Sequence, residues 1–381
     1  MSRPVPRIAF GGYIYLATGF GTAARSYIHA LHGAGIPMTV LNRSATPSRS
    51  VVDPLVESLL NTPLDAQLGI AHVEPISVPG LHEVYSHLIV LTAWETDHLP
   101  PSYVESLNEV LEVWVPSSYN AETFRAQIKT PVFVLPHPVH LKYAAPAERQ
   151  TLAEGLALKD TDFVVLSVAT WQERKNLPGL IEAFLRAFPN DPDALLVIKT
   201  GFQMVHYHVA CVQIAEAIER AGASNSKAAE QRIRICDGLW PDERITALMQ
   251  RADCYASLHR GEGWCYPLFD AAARGIPVVA TGYSGPLDYL DPRHHHLVKF
   301  ELTSPTLTEH FQNYPFSDQM RWAEPDVVDA AAHLRAVFED RAGSLERARI
   351  WAELLRQRFS QSAIGEMARQ RLIELAEKVG C

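Results

Sequence analysis

Residues 253–289 read Asp-Cys-Tyr-Ala-Ser-Leu-His-Arg-Gly-Glu-Gly-Trp-Cys-Tyr-Pro-Leu-Phe-Asp-Ala-Ala-Ala-Arg-Gly-Ile-Pro-Val-Val-Ala-Thr-Gly-Tyr-Ser-Gly-Pro-Leu-Asp-Tyr. The order of residue types predicts strand, loop, helix, strand, loop. Cys254 to Leu258 is a short run bounded by polar residues, compatible with a buried strand. Gly261 and Gly263 flank Glu262 and allow a tight loop. Pro267 suits the start of a helix and Gly275 its end. Ile276 to Thr281 is an apolar, β-branched second strand. Gly282 to Pro286 forms the loop beyond it. Glu262 and Asp270 are thereby brought near one place, beyond the carboxyl end of a strand, where open α/β sheets bind ligands. Helix N-termini there favour phosphate, and a carboxylate accepts hydrogen bonds from sugar hydroxyls. A solvated loop Glu and a helix-capping Asp explain the same residues, and the stretch by itself does not choose.

The spacing adds a resemblance. Glu262-Gly263, an aromatic loop, a second acid eight positions on, an Ala-rich helix, Gly275, Pro277, Val-Val-Ala-Thr and Ser284-Gly285 resemble the signature of family-4-type retaining glycosyltransferases of GT-B fold. The family's second acid is usually Glu, which holds the nucleotide ribose; here it is Asp270, one methylene shorter. The likeness implies that Glu262 and the backbone of Gly263, Trp264, Cys265 and Tyr266 hold donor-sugar hydroxyls. It also implies that the amides around Gly282 to Gly285, Ser284 included, face the donor diphosphate.

Composition fits an ordinary soluble globular protein. The chain has 381 residues, 47% hydrophobic and 20% charged, long enough for two domains. Its net charge is −9, and acidic residues outnumber basic ones over residues 1–140. That balance argues against an extended nucleic-acid or anionic-membrane footprint. Five cysteines without zinc or redox spacing read as free thiols in a reducing compartment. Met1 to Arg7 is polar and Pro-rich, unlike a secretory leader, and no apolar run is long enough for a membrane span. A cytoplasmic location is expected, with peripheral contact at the inner membrane face left open.

In chain order, Arg7 to Gly12 reads as a strand. A loop through Tyr13 leads to Gly19-Phe20-Gly21, and a helix then runs to Gly33; Pro37 to Leu41 is the next strand. This is a βαβ opening of a parallel sheet. Gly19-x-Gly21-x-x-Ala24 is not a dinucleotide fingerprint, because six residues separate it from the strand and the second strand ends in Asn42-Arg43 rather than an acid. We read it as a glycine loop whose backbone approaches a donor phosphate or an acceptor; a plain tight turn is the alternative. Residues 44–82 are less legible, with a helix over Val51 to Leu60 and a turn at Ser77 to Gly80. His87 to Leu91 is a strand delivering Trp94 and Glu95. In the family a His-Glu or similar pair stands here. Trp94 takes the His position, where its face can stack on a sugar or simply pack in the core. Val132 to Leu135 precedes Pro136-His137-Pro138-Val139, which resembles the family's exit from the first domain and gives His137 a structural or hinge role.

The second half opens with the apolar strand Phe163 to Ala169, followed by Thr170, Arg174, Lys175 and Asn176. Two cations at a helix start oppose the helix dipole unless they clamp a pyrophosphate; solvated surface cations are the other account. The family places a Lys here on the donor diphosphate, which maps to Lys175. Its usual Arg falls on Ala169 or Thr170, leaving Arg174 as a substitute. Lys199 ends the strand Ala194 to Thr200. Gly238-Leu239-Trp240 occupies the place of the family's base-cupping loop. His294-His295-His296 cannot converge on one ion from a strand, whose side chains alternate, so a surface turn is expected.

These readings predict an α/β chain with two Rossmann-like domains facing across a cleft: residues 1–145 on the acceptor side, 146–362 binding the nucleotide sugar, and a terminal helix, 363–381, packing back on the first domain. The resemblance implies a retaining hexosyltransferase using a UDP- or GDP-linked sugar, with no metal and no cofactor besides the donor. Glu262, Lys175, Arg174 and Glu95 are the catalytic candidates. Gly12, Thr170, Lys199, Leu239, Gly263, Trp264, Cys265, Tyr266, Asp270, Ser284 and Gly285 are candidates for the donor, and Trp94, Tyr13, Gly19 and Gly21 for the acceptor. The acceptor is open among glycan, lipid-linked glycan, natural product and modified nucleic acid, and no integral membrane contact is expected. Alternatives are a nucleotide-sugar epimerase of the same fold, a phosphorylase, for which no cofactor lysine is recognisable, and a non-catalytic binding module descended from a transferase.

Overall fold

In a computed structural model, residues 4–44, 51–85, 87–201, 207–223, 226–305 and 317–381 are described. They fall into two compact units, one of Met1–His140, Gly263–Tyr266 and Leu355–Cys381, the other of Leu141–Glu262 and Pro267–Leu354. Among the described residues no helix is long and apolar enough to cross a membrane.

The first unit holds β1 (Ile8–Gly12), α1 (Gly19–Gly33), β2 (Met38–Asn42), α2 (Pro54–Leu59), β3 (Leu68–His72), β4 (Leu88–Leu91), α3 (Pro101–Leu107), β5 (Glu112–Val115), α4 (Ser118–Arg125) and β6 (Val132–Val134). The strands form one parallel sheet in the order β2-β1-β3-β4-β5-β6. The central strands are buried along their length, as expected for a sheet covered on both faces.

The second unit runs through α5 (Pro146–Gly155), β7 (Phe163–Val168), α6 (Leu177–Ala187), β8 (Ala194–Lys199), α7 (Tyr207–Arg220), α8 (Ser226–Glu230), β9 (Ile233–Cys236), α9 (Asp242–Arg251), β10 (Cys254–Ser257), α10 (Tyr266–Arg274), β11 (Val278–Thr281), β12 (His296–Val298), β13 (Phe300–Thr303), β14 (Trp322–Pro325) and α11 (Val327–Glu339). Its parallel sheet has the order β12-β11-β10-β7-β8-β9, and β13 pairs with β14 as a separate antiparallel ribbon. The core packs β7 and β8 against α6 and α11 through Phe163, Phe184, Phe188 and Leu334. Two long helices close the chain, α12 (Arg341–Arg358) and α13 (Gln361–Val379).

α13 packs on α1. Gly365 is required at that contact, because a Cβ there would lie 2.2 Å from the Ala30 carbonyl oxygen. A second tie is ionic: Arg371 on α13 clamps the buried Glu112 of β5 with Nε 3.0 Å from Oε2, and Trp114 Nε1 donates to that same oxygen at 2.8 Å.

Three sequence expectations change. β3 lies inside residues 44–82, the less legible stretch, where no strand is expected. Gly69 and Ala71 dilute its apolar signal, but Gly69 is what admits the Tyr85 ring, 2.2 Å from where a Cβ would be. Gly19-Phe20-Gly21 is the first turn of α1 rather than a loop before it. Thr18 is the N-cap, its Oγ1 3.5 Å from the Gly21 amide. The histidine triplet does begin in a turn, the His294 and His295 amides both donating to the Asp291 carbonyl at 2.9 Å, but none of the three is exposed. His294 stacks on Trp351, His295 is buried, and His296 begins β12 with its Nδ1 3.2 Å from His333 Nδ1.

Candidate active site

In the second unit, β7 and β10 are neighbours, and the loops beyond their carboxyl ends meet. The β7 loop turns through a 3-10 segment, Glu173–Lys175, into α6. Asn176 makes that turn possible. It adopts the left-handed conformation (φ 48°) and caps α6 by accepting from the Gly179 amide at 3.2 Å. The two cations therefore stand just outside the helix, not within its first turn. Arg174 Nη1 donates to the Gly261 carbonyl at 2.9 Å, and the Arg260 amide donates to the Arg174 carbonyl at 2.8 Å. Arg260 also forks onto Glu324 of β14, its Nη2 3.0 Å from Oε1.

These ties bring Glu262 against both cations. Its Oε2 is 2.9 Å from Arg174 Nη1, and its Oε1 accepts from Lys175 Nζ. Glu262 is 5% exposed. Burial pushes its carboxyl up, but the charges of Arg174, Lys175 and the nearby His259, with the Lys175 hydrogen bond, hold it at about 2. The result is a buried, ionised carboxylate between two cations at the carboxyl end of a parallel sheet. Such a cluster offers positive charge to an anion that displaces Glu262, and an acceptor oxygen to a hydroxyl.

The loop after β11 is tied to the same place by its backbone. The Glu262 amide donates to Ser284 Oγ at 3.0 Å, and the Gly285 amide donates to the Glu262 carbonyl at 3.0 Å. The Gly282 and Tyr283 amides donate to the carbonyls of Val298 and Thr281. The expectation that amides of 282, 283 and 285 face a diphosphate is therefore corrected: each already serves a backbone carbonyl. What the loop holds is Glu262.

Other expected donor residues are placed differently. Asp270, in α10, is 3.1 Å from Arg274 Nε, and burial raises its carboxyl against the pull of that arginine. Lys199 is buried. Its Nζ donates to the carbonyls of Thr200 and Gly238 at 2.8 and 2.6 Å, so it pins the loop after β9 rather than presenting charge to a ligand. In that loop Leu239 is 65% exposed, and the Trp240 ring carries Arg244 3.9 Å from its centroid. Thr170, half-buried, follows β7.

Gly263–Tyr266 pack with the first unit. A Cβ on Gly263 would lie 2.6 Å from that of Ala93. The Trp264 ring packs edge-on against His137 and Phe359, and Tyr266 Oη lies 2.8 Å from Ser26 Oγ and donates to the Pro138 carbonyl at 3.2 Å. These two side chains serve packing, which leaves the backbone as the part of this segment suited to a ligand. Cys265 has a left-handed φ of 66°.

In the first unit, the Trp94 indole is 3% exposed, donates to Thr96 Oγ1 and the His98 carbonyl, and meets Tyr103 edge-on. A ring so enclosed offers no face to a sugar, which overturns its expected stacking role. Gly21 has a packing reason for being glycine: a Cβ would lie 2.0 Å from the Leu16 carbonyl oxygen. The residues around Gly19 are otherwise open, with nothing within 4 Å of a Cβ built there. Gly12 ends β1 in the core, and Tyr13 Oη lies 3.3 Å from Ser77 Oγ. Glu95 keeps company the sequence did not suggest. Burial and the charges of Glu74 and Glu95 push the Tyr103 hydroxyl up to about 12, so two carboxylates gather beyond β3 and β4.

Residues 148–309 match the family model described as glycosyl transferases group 1. No curated protein sequence matches the chain. Among solved structures, sucrose-phosphate synthase from Thermosynechococcus elongatus superposes with a TM-score of 0.70 at 15% identity, over 98% of this chain and 100% of that one. HepE from Anabaena, solved in complex with UDP-glucose, gives 0.67 at 15% identity, over 98% and 99%. A glycosyltransferase from Rickettsia africae gives 0.68 at 13% identity, over 97% and 98%. Likeness at these identities speaks to fold, and the fold is GT-B: two α/β units, each built on a six-stranded parallel sheet. Glu262, Arg174 and Lys175 all lie inside the residues that match the group 1 family model.

Proposed function

We propose that the chain is a retaining hexosyltransferase that moves a sugar from a UDP- or GDP-linked donor to an acceptor hydroxyl. The observation that carries this reading is the Glu262–Arg174–Lys175 cluster at the carboxyl ends of two adjacent parallel strands. The diphosphate of a donor would take over Arg174 and Lys175, which stabilise the charge that grows on the leaving group. Glu262, released from them, accepts from hydroxyls of the transferred sugar and orients its anomeric carbon. The acceptor oxygen forms its bond to that carbon on the face the diphosphate leaves, and the departing phosphate oxygen takes the acceptor's proton. This path uses no protein nucleophile. The two cations supply the charge stabilisation, so the chemistry as drawn calls for no metal.

Asp270, once its pairing with Arg274 is exchanged, suits the ribose diol, and Leu239 with Trp240 suits the base. Glu95, Tyr13 and the open backbone at Gly19 are the first-unit groups suited to the acceptor. Glycans, lipid-linked glycans, natural products and modified nucleic acids fit equally.

The test is thermal stability across a panel of nucleotides and nucleotide sugars, since a ligand of the native state raises the melting temperature by mass action. A selective rise with one nucleoside diphosphate and its sugars supports the reading. No rise with any of them at millimolar concentration would overturn it. Proton NMR of the transfer product then reports whether the anomeric configuration is kept.

A further inference from the structure

The mechanism above uses Glu262 but not the buried histidine three residues before it. His259 is fully buried, two residues beyond the end of β10. Its Nε2 lies 3.3 Å from the Tyr283 carbonyl oxygen, and its Nδ1 lies 3.1 Å from Ser257 Oγ. A carbonyl can only accept, so Nε2 carries the proton. Nδ1 is then an acceptor, and the Ser257 hydroxyl donates to it. The Tyr283 carbonyl also accepts from Ser284 Oγ at 2.7 Å, and Ser284 Oγ in turn accepts from the Glu262 amide at 3.0 Å. The Gly285 amide closes the ring on the Glu262 carbonyl at 3.0 Å. One line of hydrogen bonds thus runs from Ser257 through His259, Tyr283 and Ser284 to the backbone of Glu262.

The line holds a conformation that would not persist alone. Ser284 has φ 66° and ψ −154°, a left-handed region that strains a residue other than glycine. Its Oγ makes both of its hydrogen bonds from that conformation.

We propose that His259 is a positioning residue for Glu262, acting through the Tyr283 carbonyl and the strained Ser284 turn. The inference rests on the reading of Glu262 as the group that holds the donor sugar. The charged groups facing the imidazole are Glu262, which favours its protonation, and Lys175 and Arg174, which oppose it. Burial outweighs all three and lowers the imidazole to about 4, so it remains a neutral Nε2–H donor at ordinary pH.

The test compares His259→Gln, His259→Leu and Ser257→Ala with the native chain. A Gln amide reproduces the donor to Tyr283; Leu fills the space without it. The first readout is the affinity gap between UDP-glucose and UDP, with the GDP-mannose and GDP pair as the second probe. That gap measures how well the sugar is held. In His259→Leu it should shrink about tenfold, while the affinity for the nucleoside diphosphate itself changes less than threefold because Arg174 and Lys175 stay in place. In His259→Gln the gap should be nearly kept. Ser257→Ala leaves Nε2 free to lose its fixed tautomer and should fall between the two. The second readout, independent of any ligand, is imidazole nitrogen NMR, which should show the Nε2–H tautomer without titration above pH 5. A folded His259→Leu with an unchanged gap, or a native His259 protonated on Nδ1, overturns the proposal. Should His259→Leu fail to fold, the Ser257→Ala gap and the tautomer decide. Glu262→Ala separates the two levels: if it keeps the native gap, the reading of Glu262 fails; if it loses the gap while His259→Leu keeps it, only the role of His259 fails.

Discussion

Glu262 occupies the two cations that a diphosphate would claim. Its carboxylate neutralises Arg174 and Lys175, the two groups suited to a diphosphate. A diphosphate must displace it, so part of the anion's binding energy goes into breaking that pairing. Glu262→Gln should therefore bind UDP or GDP at least as tightly as the native chain, yet lose turnover about 10²–10³-fold, the range for losing one transition-state contact. Calorimetric titration with the nucleoside diphosphate, set beside the transfer rate, checks this; weaker diphosphate binding in Glu262→Gln would refute the displacement. Lys175→Ala should do the opposite and weaken the diphosphate first. At this scale the sequence disclosed the residues but not their pairing. Glu262, Arg174 and Lys175 stood out by spacing. Nothing in the order of residues says that Arg174 also reaches the Gly261 carbonyl, or that Lys199 spends its charge on two carbonyls. His259 was hidden for the same reason: a histidine amid polar loop residues reads as solvated until its burial is seen.

At the scale of elements, the legible stretches carry strong punctuation. β10, α10 and β11 are marked by the β-branched run Val278 to Thr281, by Pro267, and by Gly275, whose φ of +75° ends the helix. β3 and the β13–β14 ribbon lack such marks. β3 contains Gly69, Ala71 and His72, and the ribbon is two four-residue strands that pair Glu301 with Glu324. Glycines in helices were equally opaque. Gly21 and Gly365 look like breakers, but each lets a carbonyl of a neighbouring segment approach. Gly365→Ala should destabilise the protein by about 1–3 kcal/mol, the usual cost of forcing an extra carbon into a packed contact. Gly33→Ala, with nothing within 4 Å of the new carbon, should not. Urea melts of the two variants compare them directly. Asn176→Ala removes the cap of α6 and should cost about 1 kcal/mol. It should also disturb diphosphate binding, since the same turn aims Arg174 and Lys175; unchanged binding would show that the turn is held by other means.

For the whole molecule, two parallel sheets follow from the alternation of apolar strand runs with amphipathic helices, and that alternation was visible throughout except at β3 and the ribbon. Its response to acid was not visible. Burial holds His72 and His295 at about 3 and His259 and His296 at about 4, with His137 also well below the usual imidazole value. Each is neutral when folded and takes up a proton when unfolded, once the pH falls below about 6.5. Unfolding therefore binds protons, and stability is full above that pH and declines as pH falls towards 4. Each such histidine contributes a slope of up to roughly 1.4 kcal/mol per pH unit in that window. Glu262 adds nothing there, because its lowered carboxyl loses its stabilising charge only as pH falls from about 4.5 towards 2. Melting temperatures from pH 8 to 4 should thus be level at first and then drop from about pH 6. A flat profile down to pH 5 would contradict the buried, neutral histidines.

The membership of α13 in the first unit bears on how the chain is made. Residues 4–140 supply a complete sheet, but the helix that covers α1 through Gly365, and Arg371, the partner of Glu112, lie beyond residue 355. On a ribosome adding about 5–20 residues each second, the first unit waits roughly 10–50 s after its last strand appears before its closing helix can dock. The second unit is nearly whole by then. The order of completion is therefore the reverse of the order of synthesis, and the nascent first unit is the species that a chaperone would have most reason to hold.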